Sequence, residues 1–259
     1  MLIRSRLSAV LIAIVLAACA NTQKDPTTGW SVDKLYGEAR DLMGSLQYDK
    51  AAAMFEKLEG RAAGTVLAQQ AQLEKAYAYY KNKDTALAAS ALDRFMKIHP
   101  ASPAMDYALY LKGIIYFNEE SGFMDVLAKQ DMADRDQKAA KDSFEAFKEL
   151  VTRFPNSKYA EDARLRMNYM VNNLARSEVN VARYYYKRGA YVASLNRLQV
   201  ALQDYPGTSA TRDALELLVQ CYDRLGLTQL RDDTRRVLVL NYPESAQPQP
   251  PRSSWWKLW

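Results

Sequence analysis

The chain has 259 residues, 49% of them hydrophobic and 25% charged, with a formal net charge of +5. That mild basicity is too little to argue for nucleic acid as a partner without a clustered patch. One histidine, His99, two cysteines, and no nucleophile motif, glycine-rich phosphate loop or metal-ligand cluster argue against an enzyme and against any cofactor.

Residues 1–18 read as a lipoprotein signal peptide. Arg4 and Arg6 precede an uncharged apolar run from Leu7 to Leu16, about half of the ~20 residues that a bilayer-spanning helix needs. Leu16-Ala17-Ala18-Cys19 resembles the bacterial lipobox, in which the thiol takes a diacylglyceryl group, cleavage precedes the cysteine, and the new amine is acylated. The alternative is an ordinary cleavage site beside a chance cysteine. Multiple acyl chains on Cys19 would make a near-permanent anchor, and Ala20 in place of aspartate directs the chain, by analogy, to the outer membrane. Without the signal the net charge falls to +3, and Cys221 is left with no disulfide partner. Residues 19–32 read as a lipidated tether, whose polar part is Ala20 to Gly29.

From there the chain reads as all-α. Apolar residues recur at three and four, and no stretch keeps the alternation of a strand. Small residues come in pairs twelve apart: Ala39 and Ala51, Ala76 and Ala88, Ala182 and Ser194. A large apolar residue follows the second member by four, at Phe55, Leu92 and Leu198. Small residues let two antiparallel helices approach, the large residue fills the wedge, and prolines at 100, 155, 206 and 243 stop the second helix. This resembles the tetratricopeptide repeat and implies a superhelix of about five helix pairs. The third pair, with Gly113 and Tyr116 at its close-packing positions, is interrupted by Glu119 to Gln137. Ser157 to Arg188 has no proline or glycine and reads as one long helix. The fifth pair is degenerate, with Arg231 and Arg235 where small and aromatic residues are expected, as suits a polar terminal cap. Repeats 1–3 occupy residues 33–155, repeats 4–5 residues 156–243, and the proline- and serine-rich tail 244–259 is expected to be disordered.

Several segments carry a closer resemblance: Tyr77-Ala78-Tyr79-Tyr80-Lys81-Asn82, Asp93-Arg94-Phe95, Asp134-Arg135-Asp136, Arg188-Gly189-Ala190-Tyr191-Val192-Ala193, Asn196-Arg197, Tyr205-Pro206 and Ala210-Thr211-Arg212-Asp213-Ala214-Leu215. In this order they resemble the BamD (ComL/YfiO) family, tetratricopeptide lipoproteins of the outer-membrane β-barrel assembly (BAM) machine. The resemblance implies a non-enzymatic lipoprotein on the periplasmic face of the outer membrane. Its partners would be unfolded outer-membrane protein precursors at the N-terminal repeats, the periplasmic domains of a BamA-like insertase at the C-terminal ones, and other BAM lipoproteins. The rival is a repeat lipoprotein serving as adaptor for a periplasmic protease or binding peptidoglycan.

In such repeats the first helix of each pair lines the groove. Counting from its small residue places Tyr36, Arg40 and Met43 there, then Tyr77, Tyr80 and Lys81, then Tyr107, Tyr110 and Ile114, each set on one helix face. Tyrosine rings offer an unfolded barrel strand apolar area and a hydroxyl, and Arg40 or Lys81 a partner for a carboxylate. Packing between repeats is an equally good reading of these tyrosines. Among the basic residues Arg183, Lys187, Arg188 and Arg197, the resemblance singles out Arg188, Asn196 and Arg197 for the insertase. The closing Trp255-Trp256-Lys257-Leu258-Trp259 departs from the family pattern and suits a membrane interface, a partner, or the client groove itself.

Overall fold

The computed structural model describes residues 25–117 and 133–246, the side chains of 133–137 and 245–246 aside. Cys19, the Asp134-Arg135-Asp136 side chains and the tryptophan-bearing tail lie outside them. The described residues form helices α1 (Val32–Gly44), α2 (Tyr48–Arg61), α3 (Val66–Lys81), α4 (Thr85–Ile98), α5 (Met105–Tyr116), α6 (Ala133–Arg153), α7 (Ala160–Lys187), α8 (Tyr191–Asp204), α9 (Thr211–Arg224) and α10 (Thr228–Asn241). A 3-10 turn, Pro243–Ala246, follows, and no strand occurs among the described residues. The third pair is thus α5 and α6, and the segment reading as one long helix is α7.

Local sequence sets the helix ends. Ser31 and Thr65 cap α1 and α3, their hydroxyls accepting from the backbone of Lys34 and Ala68 at 3.2 Å each. Helices α4, α6, α8 and α10 each end two residues before a proline, because the residue before proline is pushed out of the helical region.

The small-residue pairs sit where the helices touch. Ala39, Ala51, Ala76, Ala88, Ala182 and Ser194 are all buried, and so are Phe55, Leu92 and Leu198. Where serine replaces alanine, its hydroxyl needs a partner in a dry contact. Ser194 Oγ donates to the Ala182 carbonyl at 2.8 Å, and in the third pair Ser143 Oγ donates to that of Gly113 at 2.9 Å. Gly113 and Ser143 therefore repeat the motif, and Phe147, four residues after Ser143, fills the wedge. Gly113 was expected at such a contact, whereas Ser143 was not, because the insertion separates the two halves of the motif.

A second repeat lies in the turns. Leu46, Lys83, Gly189 and Gly226 each have positive φ, between 60° and 76°, and each stands seven residues after the small or buried residue at 39, 76, 182 or 219. The next amide then reaches back: Gln47 to Leu42, Asp84 to Tyr79, Ala190 to Tyr185 and Leu227 to Tyr222, each at 2.9–3.0 Å. This is the Schellman closure, which glycine adopts freely and other residues adopt at a cost. Leu46, an exposed side chain at φ 60°, is the clearest misfit. Leu46→Gly is expected to raise stability by about 0.5–1 kcal/mol in urea denaturation.

The chain divides into two compact units between Phe95 and Met96. The first, α1–α4, packs Leu35, Phe55 and Leu58 among its alanines. Lys75 and Glu59 form its one nearly buried ion pair among the described residues, 2.7 Å apart, with Gln72 and Arg94 also on the Glu59 carboxylate at 3.0 and 3.1 Å. Burial works to raise the Glu59 pKa, but these donors together hold it below its usual 4.5.

The first unit also holds the segment ahead of α1. Asp25 meets Lys57 Nζ at 2.7 Å, and Arg61 donates to the Trp30 carbonyl at 3.0 Å and to Thr27 Oγ1 at 3.2 Å. Thr27 is buried, and Lys34 lies over the Trp30 ring. The span expected to be tether down to Gly29 is therefore fixed to α2 from Asp25 onward.

In the second unit, α7 is long enough to serve two neighbours. Its Ala163 joins the core of α5 and α6 around Phe147 and Leu150, while Ala175, Val179 and Ala182 join that of α8 and α9. Continuous packing along α7 explains why no boundary falls at Pro155. Cys221 is buried there, its thiol donating to Ser194 Oγ at 3.3 Å; burial pushes its pKa up against that hydrogen bond. The last pair departs from the expected polar cap. Arg231 is indeed excluded from the core, pairing with Asp223 and Asp232, yet α10 turns several apolar side chains outward.

Candidate binding surfaces

In the first unit two predicted residues of α1 meet α3 at positions that were not predicted. Gln70 Nε2 donates to the Tyr36 hydroxyl at 2.7 Å, and Arg40 pairs with Glu74 at 3.2 Å. Gln70, Glu74, Tyr77 and Lys81 are spaced by four, three and four, so they form one stripe along α3 facing the α1 stripe of Tyr36, Arg40 and Met43. Tyr36 also packs edge-on against Phe55, with centroids 6.4 Å apart. Tyr77 and Tyr80 are half-buried, their rings 6.2 Å apart. Lys81 is exposed beside the Tyr48 ring, at 6.0 Å. Arg40 is already engaged by Glu74, so Lys81 is the more available cation of the two. Gln70 and Glu74 were missed in the sequence, where polar residues on a helix face carry no distinguishing signal.

Tyr107 and Tyr110 belong to the second unit, where they gather around Tyr159. Tyr110 stacks on it with centroids 4.7 Å apart, and Tyr107 lies at 5.6 Å. The Tyr110 hydroxyl donates to Asp162 at 2.8 Å, and Arg166 Nε donates to the same oxygen at 2.6 Å. Burial and the Asp162 hydrogen bond raise the Tyr110 pKa. Burial works to raise that of Asp162, but the Arg166 and Tyr110 hydrogen bonds hold it below the usual carboxylate value. Tyr110 thus fastens α5 to α7, the packing role that its ring pattern also allowed.

Of the basic set, Arg188 stands at the C-cap of α7 over the Tyr184 ring, at 5.2 Å. Asn196 and Arg197 are exposed neighbours on α8, and Arg197 holds Glu178 at 3.3 Å. Arg183 pairs with Asp213 at 3.2 Å. Two exposed apolar residues, Tyr184 and Val192, flank Arg188 in sequence and were missed. A hollow of about 430 Å³ lies along α5 and α6, floored by Leu109 and Ala146 and rimmed by Lys112, Lys148, Glu145 and Glu149. Among the described residues no group of three or more His, Cys, Asp or Glu is placed to hold a metal ion. No helix there is long and apolar enough to cross a membrane.

Residues 30–238 match the sequence pattern of the YfiO family, described as "Outer membrane lipoprotein". The chain belongs to the YfiO family. Among YfiO-type relatives, the "Outer membrane protein assembly factor BamD" of Neisseria meningitidis serogroup A is 46% identical, over 96% of this chain and 97% of its own. The protein of the same description from Vibrio cholerae is 36% identical, over 91% of this chain and 97% of its own. A solved Podosopora anserina chain of nearly identical TPR-like repeats is similar at 15% identity and a TM-score of 0.35, covering 85% of this chain and 99% of that one. The helix-pair assignment of this YfiO-family chain rests on its own turns and small-residue contacts.

Proposed function

We propose that this chain is an outer-membrane protein assembly factor, a non-enzymatic lipoprotein subunit of the β-barrel assembly complex anchored through acylated Cys19. The observation that carries the reading is 46% identity, along 96% of the chain, to a relative described as such a factor. The α1–α3 surface of the first unit takes unfolded barrel precursors. Tyr36, Tyr77 and Tyr80 supply ring area, Gln70 and Glu74 supply hydrogen-bonding groups, and Lys81 meets a carboxylate. In the second unit, Tyr107 beside Tyr159, with Tyr110 packed behind it, offers a separate ring surface of its own. A BamA-like insertase contacts Arg188, Asn196 and Arg197, where exposed Tyr184 and Val192 add apolar area and a guanidinium pairs with an acid on the partner. Companion lipoproteins complete the assembly.

Affinity purification from detergent-solubilised outer membrane tests the reading. The expected partner is a large β-barrel protein with periplasmic domains; recovery of a hydrolase or of wall fragments in its place would overturn it. For the client surface, the triple variant Tyr77→Ala, Tyr80→Ala, Lys81→Ala is expected to weaken binding of a barrel-strand peptide ending in an aromatic residue about tenfold or more. Circular dichroism should be unchanged. Equal affinity in a fluorescence titration would move the client site elsewhere.

A further inference from the structure

The last helix leaves an apolar face uncovered. On α10 Leu238 is buried, but Leu230 and Val237 are each 46% exposed and Leu240 is 80% exposed. Positions 230, 233, 237 and 240 are spaced by three, four and three, so they form one stripe, with Asp233 its only acid. Exposed Leu227 extends it at the N-terminal end. Repeat arrays keep the outer face of the terminal repeat polar, and a contiguous apolar patch on a soluble surface marks a contact site.

The chain itself carries a segment that fits this face. It leaves the described fold through the turn Pro243–Ala246, at the C-terminal end of α10, where Glu244 is held by Arg212 at 3.2 Å. Thirteen residues follow, and the last five, Trp255-Trp256-Lys257-Leu258-Trp259, hold three of the four tryptophans. The intervening eight residues reach up to about 28 Å, while a 14-residue helix such as α10 is about 21 Å long. The whole stripe is therefore within reach. Lys257 is the only charged side chain among the five, and the Asp233 side chain, which accepts from Arg236 through one oxygen, is 45% exposed.

We propose that Trp255–Trp259 docks on the Leu230–Val237–Leu240 face of α10 as an intramolecular cap that closes the repeat array, with Lys257 against Asp233. Tethering places the segment at an effective concentration in the millimolar range, so a contact too weak to form between separate molecules suffices.

The test uses the full mature chain with Cys19→Ser, as a monomer, carrying a photo-crosslinking benzoylphenylalanine at position 237. The expected product has the mass of one chain, with the crosslink inside residues 253–259. In the variant Val237→Asp, Leu240→Asp, both at exposed positions, tryptophan emission should shift to longer wavelength with circular dichroism unchanged. A product of doubled mass, a crosslink confined to residues before 247, or an unchanged emission would overturn the proposal. So would quenching of the indoles by spin-labelled vesicles of phosphatidylethanolamine and phosphatidylglycerol that abolishes the intramolecular crosslink.

Discussion

Phe147→Ala is expected to lower stability by about 3–5 kcal/mol, the usual cost of emptying a buried aromatic site. Phe147 is fully buried, its ring 6.2 Å from those of both Tyr110 and Phe117. It lies so close to α5 that a Cβ on Gly113 would meet ring atoms Cδ1 and Cζ at 2.6 and 2.7 Å, and Cε1 nearer still. A ring locked by neighbours has little room to retreat, so Gly113→Ala is expected to cost about 1–3 kcal/mol by overpacking. The two sites share one contact and should not add. Gly113→Ala combined with Phe147→Leu is expected to recover part of the loss, with a coupling of about 0.5 kcal/mol or more. Urea denaturation of the four proteins measures this. A Gly113→Ala cost below about 0.5 kcal/mol would show that α5 and α6 separate easily.

Lys75→Met should cost about 3 kcal/mol at neutral pH, the low end for breaking a buried ion pair, since Arg94 and Gln72 still serve the carboxylate. The Glu59 side chain is only 12% exposed and that of Lys75 only 9%. In the parent protein the folded Glu59 pKa lies below the usual 4.5. Its contribution is therefore fully present above that value and is lost as pH falls through the folded pKa. Without Lys75, burial has less to oppose it and the folded pKa rises. The variant then regains stability relative to the parent as pH falls towards 4, and the two unfolding curves should converge. Curves that stay parallel from pH 7 to 4 would mean that the pair is better solvated than its exposure implies. Glu59→Gln should leave a flatter pH profile than the parent.

The repeat was legible wherever its residue types were local and unambiguous. Ala39, Ala51, Ala182 and Ser194 could be read as contacts because small residues twelve apart have few other uses, and all are buried. Four prolines gave the ends of second helices to within two residues. The Schellman turns were half hidden, because Leu46 and Lys83 occupy a position that glycine would have announced. Gly113 was read as a close-packing position, but its partner Ser143 escaped notice because thirty residues separate the two where twelve were sought. The candidate surfaces were less legible. A tyrosine on a helix face looks the same whether it meets a ligand or, like Tyr110, an aspartate 52 residues away. Whether a cation is spent also depends on distant partners: Arg40 meets Glu74 across 34 residues. The outward apolar stripe of α10 was obscured by Arg231, Arg235 and Arg236, which gave the whole helix a polar cast.

The clamp on Asp25 bears on how the protein searches its surroundings. With Cys19 acylated, only Ala20 to Lys24 separate the lipid from a residue held by Lys57, a span of at most about 20 Å. The first helix pair would thus be on a short leash, held near the lipid by a span no longer than its own helices. On the proposed function, clients arriving along the membrane would meet that helix pair within this distance. Each residue added between Cys19 and Asp25 would lengthen that leash and thin out the encounters within its reach, with every contact in the folded part unchanged.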